Sequence, residues 1–316
     1  MARHPGASAA PFMKPRNDSL YRFVVEGCNV RGQLVYLDES WRELSRRHDY
    51  PPVVRTLLGE AVSAAALLSA TIKFDGSLRI QASGDGGLRL LIAEATANGT
   101  LRGLARWKGE LEGDLLPDLL GNGRLAITID PGRGRERYQG IVDLQGSGLT
   151  QSLRGYFSNS EQLPTRLWLA VAEDRVAGLL LQRVPEGQPD NPDDAELLDP
   201  DDTSADAWRQ TVEHAEAIDP DDLLELTVPD LLARINGDRA VRLYRGDDWR
   251  FLCSCSREKV AEVLRALGRK DLDELIEERE RVSVNCEFCN AHFDFDAVDV
   301  AQVFVEDIHE IQPTRH

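Results

Sequence analysis

Cys253-Ser-Cys255 and Cys286-Glu-Phe-Cys289 hold four of the chain's five cysteines, and thirty residues separate the two pairs. If the intervening stretch folds back on itself, these closely spaced thiols suit a tetrahedral four-thiolate zinc site. Zn²⁺ is softer than Mg²⁺ or Ca²⁺ and favours sulfur, and four thiolates fill its shell and leave no position for a catalytic water. Cys253, Cys255, Cys286 and Cys289 therefore read as ligands of one structural or regulatory zinc per chain, with two local disulfides or four unrelated thiols as the alternatives. His292, three residues beyond Cys289, is a spare ligand that the four thiols leave beside the site or on the surface. Cys28 stands far away in sequence and reads as a small core residue or an inert thiol.

The elements that must position these thiols are short. Ser256 can cap a helix carrying Val260, Val263, Leu264 and Leu267, ended by Gly268. Asp271-x-x-Glu274 caps a second helix with Leu272, Leu275 and Ile276, and Val282-Ser-Val284 and Phe293-Asp-Phe295 read as strands flanking the second cysteine pair. A segment of about 65 residues buries too little surface to be stable unaided. A structural zinc contributes on the order of 10–16 kcal/mol, as much as the ~5–15 kcal/mol that holds an ordinary domain together. Oxidising the thiolates removes the ligands, ejects the metal and should unfold the segment. Disulfides closing Cys253 to Cys255 and Cys286 to Cys289 would be small, strained and easily reduced rings.

The net charge of −17 is concentrated in one place, because Asp190 to Asp230 carries fifteen acidic residues against Arg209 alone. Its opening, Pro189-Asp-Asn-Pro-Asp-Asp, has the composition of a chain that cannot bury enough apolar surface to order itself. Helix signals follow: a cap at Thr203 or Ser204 before Trp208, Val212 and Ala215; Asp219-Pro220; and Thr227-x-x-Asp230, ended by Asn236-Gly237. Residues 189–240 are thus either a solvated acidic linker or a helical one that folds only when docked. Residues 1–19, mixed in charge and rich in proline, read as a disordered tail rather than a signal peptide, which makes the reducing cytoplasm the expected compartment.

Residues 20–188 read as an α+β domain of antiparallel sheet with packed helices. Tyr21-Arg-Phe-Val-Val and Gln33-Leu-Val-Tyr-Leu are strand-like, Ser40-x-x-Glu43 looks like a capping box, and Pro51-Pro52 introduces a helix that is apolar nearly all round from Ala61 to Ile72. That helix reads as a core element rather than a membrane span. Alternating strands from Leu78, Leu88 and Leu101 are joined by Gly84-Asp-Gly-Gly87 and Asn98-Gly99 turns. Further strands follow at 124–129, 138–144, 165–172 and 176–184, with a helix over 148–157. The six histidines are scattered, no Gly-x-Ser-x-Gly elbow occurs, and no carboxylate pair stands out, so the chain does not read as an enzyme.

Beyond the cysteine pattern, Phe157-Ser-Asn-Ser-Glu-Gln-Leu-Pro-Thr-Arg-Leu167, Arg137-Tyr-Gln-Gly-Ile-Val142, Gly121-Asn-Gly123 and Ala70-Thr-Ile-Lys-Phe-Asp-Gly76 closely resemble the heat shock protein 33 family, the bacterial redox-regulated holdase chaperones. The resemblance covers about residues 20–305. It implies a core domain at 20–188, a metastable linker at 189–240, a zinc-binding redox-switch domain at 241–312, and a homodimer as the active form. It further implies an ATP-independent chaperone, inactive while reduced and zinc-bound, that binds unfolding client proteins under oxidative stress and hands them to an ATP-dependent refolding chaperone. Asn290 stands where the family commonly has Gly, and Asn tolerates the left-handed conformation a zinc knuckle requires. The alternative is a zinc-ribbon nucleic-acid binder, disfavoured by the acidic linker and the mixed charge of the zinc segment. A thioredoxin-like oxidoreductase would need its Cys-x-x-Cys at a helix start rather than between two strands. No nucleic-acid or membrane partner is expected.

Overall fold

A computed structural model of the chain describes residues 18–71, 75–132, 134–144, 146–160, 163–184 and 204–305. The Pro189 to Asp194 opening, the Thr203 cap and almost all of the N-terminal tail fall outside these residues. The chain divides into two compact units, Met1–Leu252 and Cys253–His316. The division falls after Leu252 rather than at 240, because residues 241–252 make strands that pair with the first unit.

The fold is α+β with antiparallel sheets. In the first unit, β1 (Ser19–Val25), β2 (Val30–Leu37), β8 (Thr165–Val171), β9 (Val176–Arg183) and β10 (Val241–Leu243) form one sheet in the order β10-β1-β2-β9-β8, with β11 (Asp247–Asp248) added to β1. A second sheet runs β12-β5-β4-β3-β6-β7, built from β3 (Ser77–Ser83), β4 (Leu88–Thr96), β5 (Thr100–Trp107), β6 (Arg124–Asp130), β7 (Tyr138–Val142) and the short β12 (Arg250–Phe251). Each β3–β6 strand meets its neighbour as an antiparallel pair, as the turn residues require, and β12 alone joins its neighbour, β5, in parallel.

Helix α2 (Pro52–Ser69) packs against strands of both sheets. It is long and apolar enough to cross a membrane, yet 72% of it is buried inside the protein, so its apolar girth serves the core. Helices α3 (Leu116–Leu120) and α4 (Leu149–Ser160) complete this layer, the first of which carries no periodic signal long enough to read.

The first sheet is apolar on both faces. Leu20, Val35, Leu37, Leu167 and Leu180 point into the core around α2, while Tyr21, Phe23, Leu34, Tyr36, Leu179 and Leu181 point the other way. The second face is covered by α5 (Ser204–Glu216), α6 (Pro220–Glu225) and α7 (Val228–Asn236), whose Ala207, Ala215, Leu223, Leu224, Leu231 and Ile235 join the same cluster. Phe23 lies across the strand from Gly32, where a Cβ would come within 2.1 Å of its ring; only glycine lets the aromatic lie flat on the sheet beneath the helices.

Helix α1 (Glu39–Ser45) corrects the expected capping box. Ser40 lies inside the helix, and its amide and that of Asp38 donate to the carboxylate of Asp18, 2.8–3.2 Å away. A distant carboxylate thus satisfies amides that a local Ser-x-x-Glu box would serve. Asp18 also accepts the Trp249 amide on its own carbonyl at 2.7 Å, tying the strand start to the 247–251 segment. Replacing Asp18 with Ala should therefore lower the unfolding free energy of the first unit by about 1–2 kcal/mol; urea unfolding should show an earlier midpoint with an unchanged slope, whereas an unchanged midpoint would show the cap to be dispensable.

Candidate metal centre

The second unit is built around two backbone knuckles. Cys253 and Cys255 precede α8 (Arg257–Leu267), whose N-cap Ser256 accepts the Lys259 amide, as its sequence position predicts. Lys259 Nζ donates to the Ser254 carbonyl at 2.6 Å, pinning the residue between the two thiols. The second knuckle sits at the tip of a hairpin, β13 (Val282–Asn285) with β14 (His292–Phe295). There the Cys286 amide donates to the Ala291 carbonyl at 2.9 Å, and the Asn290 amide to the Cys286 carbonyl at 2.7 Å. Asn290 has φ +57°, the left-handed turn that the sequence implied for this position.

Around the knuckles the apolar core is small. Leu264, Leu272, Val282, Phe295, Val300 and Val303 are its buried members. Val300 and Val303 come from α10 (Ala297–Val305), an element the sequence reading did not resolve. On α8 only Leu264 is buried, while Val263 and Leu267 are 63% and 55% exposed, because the unit has packing partners on one side of this helix only. The Asp271-x-x-Glu274 box is likewise not formed: α9 (Arg269–Arg279) starts directly after Gly268, which ends α8 and begins α9 at φ +100°, so no cap residue fits between them. Arg257 places its guanidinium 4.2 Å from the centre of the Phe295 ring and ion-pairs Asp299 at 2.8 Å, fastening α8 to α10.

The sulfur atoms of Cys253, Cys255, Cys286 and Cys289 all lie within 4.8 Å of one another. Between the knuckles, Cys253 lies 3.6 Å from Cys286 and Cys255 lies 3.4 Å from Cys289. A tetrahedral Zn²⁺ with Zn–S bonds of about 2.3 Å spaces its sulfurs about 3.8 Å apart, so the donor set fits that ion in number, element and spacing. Burial pushes the Cys255 thiol far up, and the other three sulfurs add to the shift; the Cys289 thiol is raised by burial as well. Burial opposes ionisation of Cys286 too, but the amides of Cys289 and Phe288 outweigh it and bring this thiol below its ordinary value. Ionisation is thus favoured at Cys286 and opposed at Cys255 and Cys289, and a bound cation would favour the thiolate form of its ligands. All four cysteines remain partly accessible.

Two other sequence candidates fall outside the centre. His292 donates from Nδ1 to Asn285 Oδ1 at 2.6 Å and meets Asp294 through Nε2 at 3.0 Å, an arrangement that orients the hairpin. Cys28 is buried in the apolar cluster beneath α5–α7.

The Hsp33 protein family model matches residues 18–296. The 33 kDa chaperonin of Nitrosococcus oceani is 42% identical over 300 residues, covering 95% of this chain and 99% of its own. That of Ectopseudomonas mendocina is 43% identical over 291 residues, covering 91% and 95%. The solved structure of the 33 kDa chaperonin (heat shock protein 33 homolog) of Thermotoga maritima superposes with a TM-score of 0.74 at 21% identity, over 93% of this chain and 100% of that one, a likeness of fold. An α+β body followed by a unit whose four cysteines are positioned to hold a metal ion is the class that this fold defines. The chain belongs to the Hsp33 family.

Removing two ligands tests the centre. A Cys286→Ser, Cys289→Ser double variant should lose its bound metal, measured as zinc per chain after purification in reductant, whereas Cys28→Ser should retain it; full retention in the double variant would remove the assignment.

Proposed function

We propose that this protein is a redox-regulated, ATP-independent holdase, silent while its four cysteines hold Zn²⁺ and active once they are oxidised. The observation that carries this reading is the doubly apolar first sheet, one face of which is covered by the acidic helices α5–α7. Such a face has high value to a chaperone: Tyr21, Phe23, Tyr36 and Leu179 offer a broad aromatic and aliphatic surface to an unfolding chain once the helices leave.

The cover is suited to leaving. Its segment carries most of the chain's net charge, and its fixed links to the core are the exposed ion pairs Arg154–Glu216 at 3.3 Å and Arg175–Glu225 at 3.2 Å, each worth about 0–1 kcal/mol. Apolar contact supplies the remainder. α6 and α7 are well formed, with Asp219 and Thr227 accepting the amides of Asp222 and Asp230 at their N-termini, but helices this short are marginal once undocked. The released acidic chain would keep a client complex soluble.

Zinc, when bound, supplies the cross-link between the two knuckles. Peroxide takes two electrons from each thiolate pair and, with two protons from solvent, leaves a disulfide and two waters, and the sulfurs cease to be ligands. We assign the pairs as Cys253–Cys255 and Cys286–Cys289: with the metal gone and the small core lost, the nearest sulfur along the chain has the least loop to close. Unfolding of 253–305 then reaches the first unit through the chain itself, since Leu252 donates its amide to the Leu101 carbonyl at 3.0 Å directly before Cys253, and β12, β11 and β10 lead back from there to α7. A homodimer as the active form, transfer of clients to an ATP-dependent chaperone, and a cytoplasmic location complete the proposal on family grounds.

Destabilising the cover should mimic oxidation. Leu231 is fully buried and Leu232 is 6% exposed; truncating a buried leucine costs about 2–5 kcal/mol. A Leu231→Ser, Leu232→Ser variant should therefore suppress aggregation of a thermally unfolding client while still reduced and zinc-loaded. If it stays inactive while hydrogen exchange shows α5–α7 released, the covered face is not the client site.

A further inference from the structure

A cavity of about 300 Å³ lies between α2, α4, the β8–β9 pair and the α5–α6 corner. Leu169, Leu179, Ala215, Ile218 and Leu223 give it apolar walls, and Glu60 of α2 reaches into it. The Glu60 carboxyl accepts the amide and hydroxyl of Thr150 at the start of α4, while Oε2 is buried with no hydrogen-bond partner among the described residues. The other charges here are already engaged. Arg154 of α4 gives Nε to the Leu167 carbonyl at 2.6 Å, stacks 5.0 Å from the Trp168 ring and pairs with Glu216 of α5. Asp219, at the start of α6, accepts the Asp222 amide. A buried carboxylate oxygen facing a partly apolar cavity is costly to charge and cheap to keep protonated.

We propose that Glu60 is a proton-operated latch on the cover: as a neutral acid it sits stably beneath α5 and α6, and as a carboxylate it favours their undocking and the entry of water. The inference rests on the reading of α5–α7 as a releasable cover. Burial pushes the Glu60 carboxyl up to about 7 from an ordinary 4.5, with the Thr150 hydrogen bonds opposing. The sign follows from linkage. The docked state holds the proton more tightly than the undocked one, so its advantage is full below the ordinary value, and is lost as pH rises toward and through 7. Where undocking restores the ordinary value, the undocked fraction rises about tenfold between pH 6 and pH 8. Mild acid would then hold the chaperone silent, and neutral or alkaline conditions would lower the threshold for its oxidative release.

Hydrogen exchange of the reduced, zinc-loaded, full-length protein, corrected for intrinsic amide rates, reads this directly. In the wild type, protection over residues 204–236 should fall about tenfold from pH 6 to pH 8. In Glu60→Gln it should stay at or above the wild-type pH 6 level throughout. A flat wild-type profile overturns the latch even if the variant fails to fold. A Glu60→Gln profile that keeps the pH dependence also overturns it, and assigns the effect to a group the substitution leaves in place, such as His214 of α5, which meets the Ile235 carbonyl at 3.1 Å. Peroxide treatment at fixed pH separates the two readings: release by peroxide with a flat pH profile removes the latch alone, while protection that survives peroxide at every pH removes the releasable cover itself.

Discussion

Four sulfur atoms within 4.8 Å of one another set the terms for everything beyond Leu252. Two thiolates about 3.5 Å apart repel by roughly 5 kcal/mol at an effective dielectric constant near 20, so the cluster is stable as protonated thiols, as disulfides, or around a cation. A cation shared by the four sulfurs would join both knuckles at once. The apolar core beside the four sulfurs has six buried members among the described residues, and Val263, Leu267 and Val298 are left exposed around it. With so little burial, the unit has few apolar contacts to hold it folded unaided.

The first unit shows the complementary design. Its main sheet is far more apolar than a half-solvated antiparallel sheet, with β9 buried at seven of eight positions and β2 at seven of eight. A sheet of this kind must be covered on both faces. The permanent cover is α2, an all-round apolar helix shared with the second sheet; the other is a row of short, acidic helices tied to the body by surface ion pairs.

Much of this was legible in the residues. The cysteine spacing pointed to the four sulfurs that the structure brings together, alternating apolarity to the hairpins, and Asp219-Pro220, Thr227-x-x-Asp230 and Ser256 to caps that the structure forms. The failures come from groups that the local motif does not include. Asp18 caps α1 in place of the Ser40 box, and Gly268 leaves α9 no room for a cap. The 241–252 segment pairs with β1 and β5 through backbone bonds that side-chain pattern does not encode. The docking of α5–α7 did leave a signal that the strand reading passed over. Tyr21-Arg-Phe-Val-Val and Val176 to Leu181 are apolar at both odd and even positions, and a strand apolar on two faces calls for two covers. Glu60 carried no sequence signal at all, since its burial is created by elements distant in the chain.

The central claim is that one chain is silent with metal and active without it, through the thiols. It is tested most directly by measuring suppression of aggregation of a chemically denatured client with reduced, zinc-loaded protein, with peroxide-treated protein, and with the same sample after re-reduction and zinc return, while following zinc release and free thiols. The account predicts no suppression in the first state, full suppression in the second alongside the loss of four thiols and one zinc per chain, and a return to silence in the third. Equal suppression in the reduced and oxidised states, or activity that appears with all four thiols intact and zinc still bound, would contradict it.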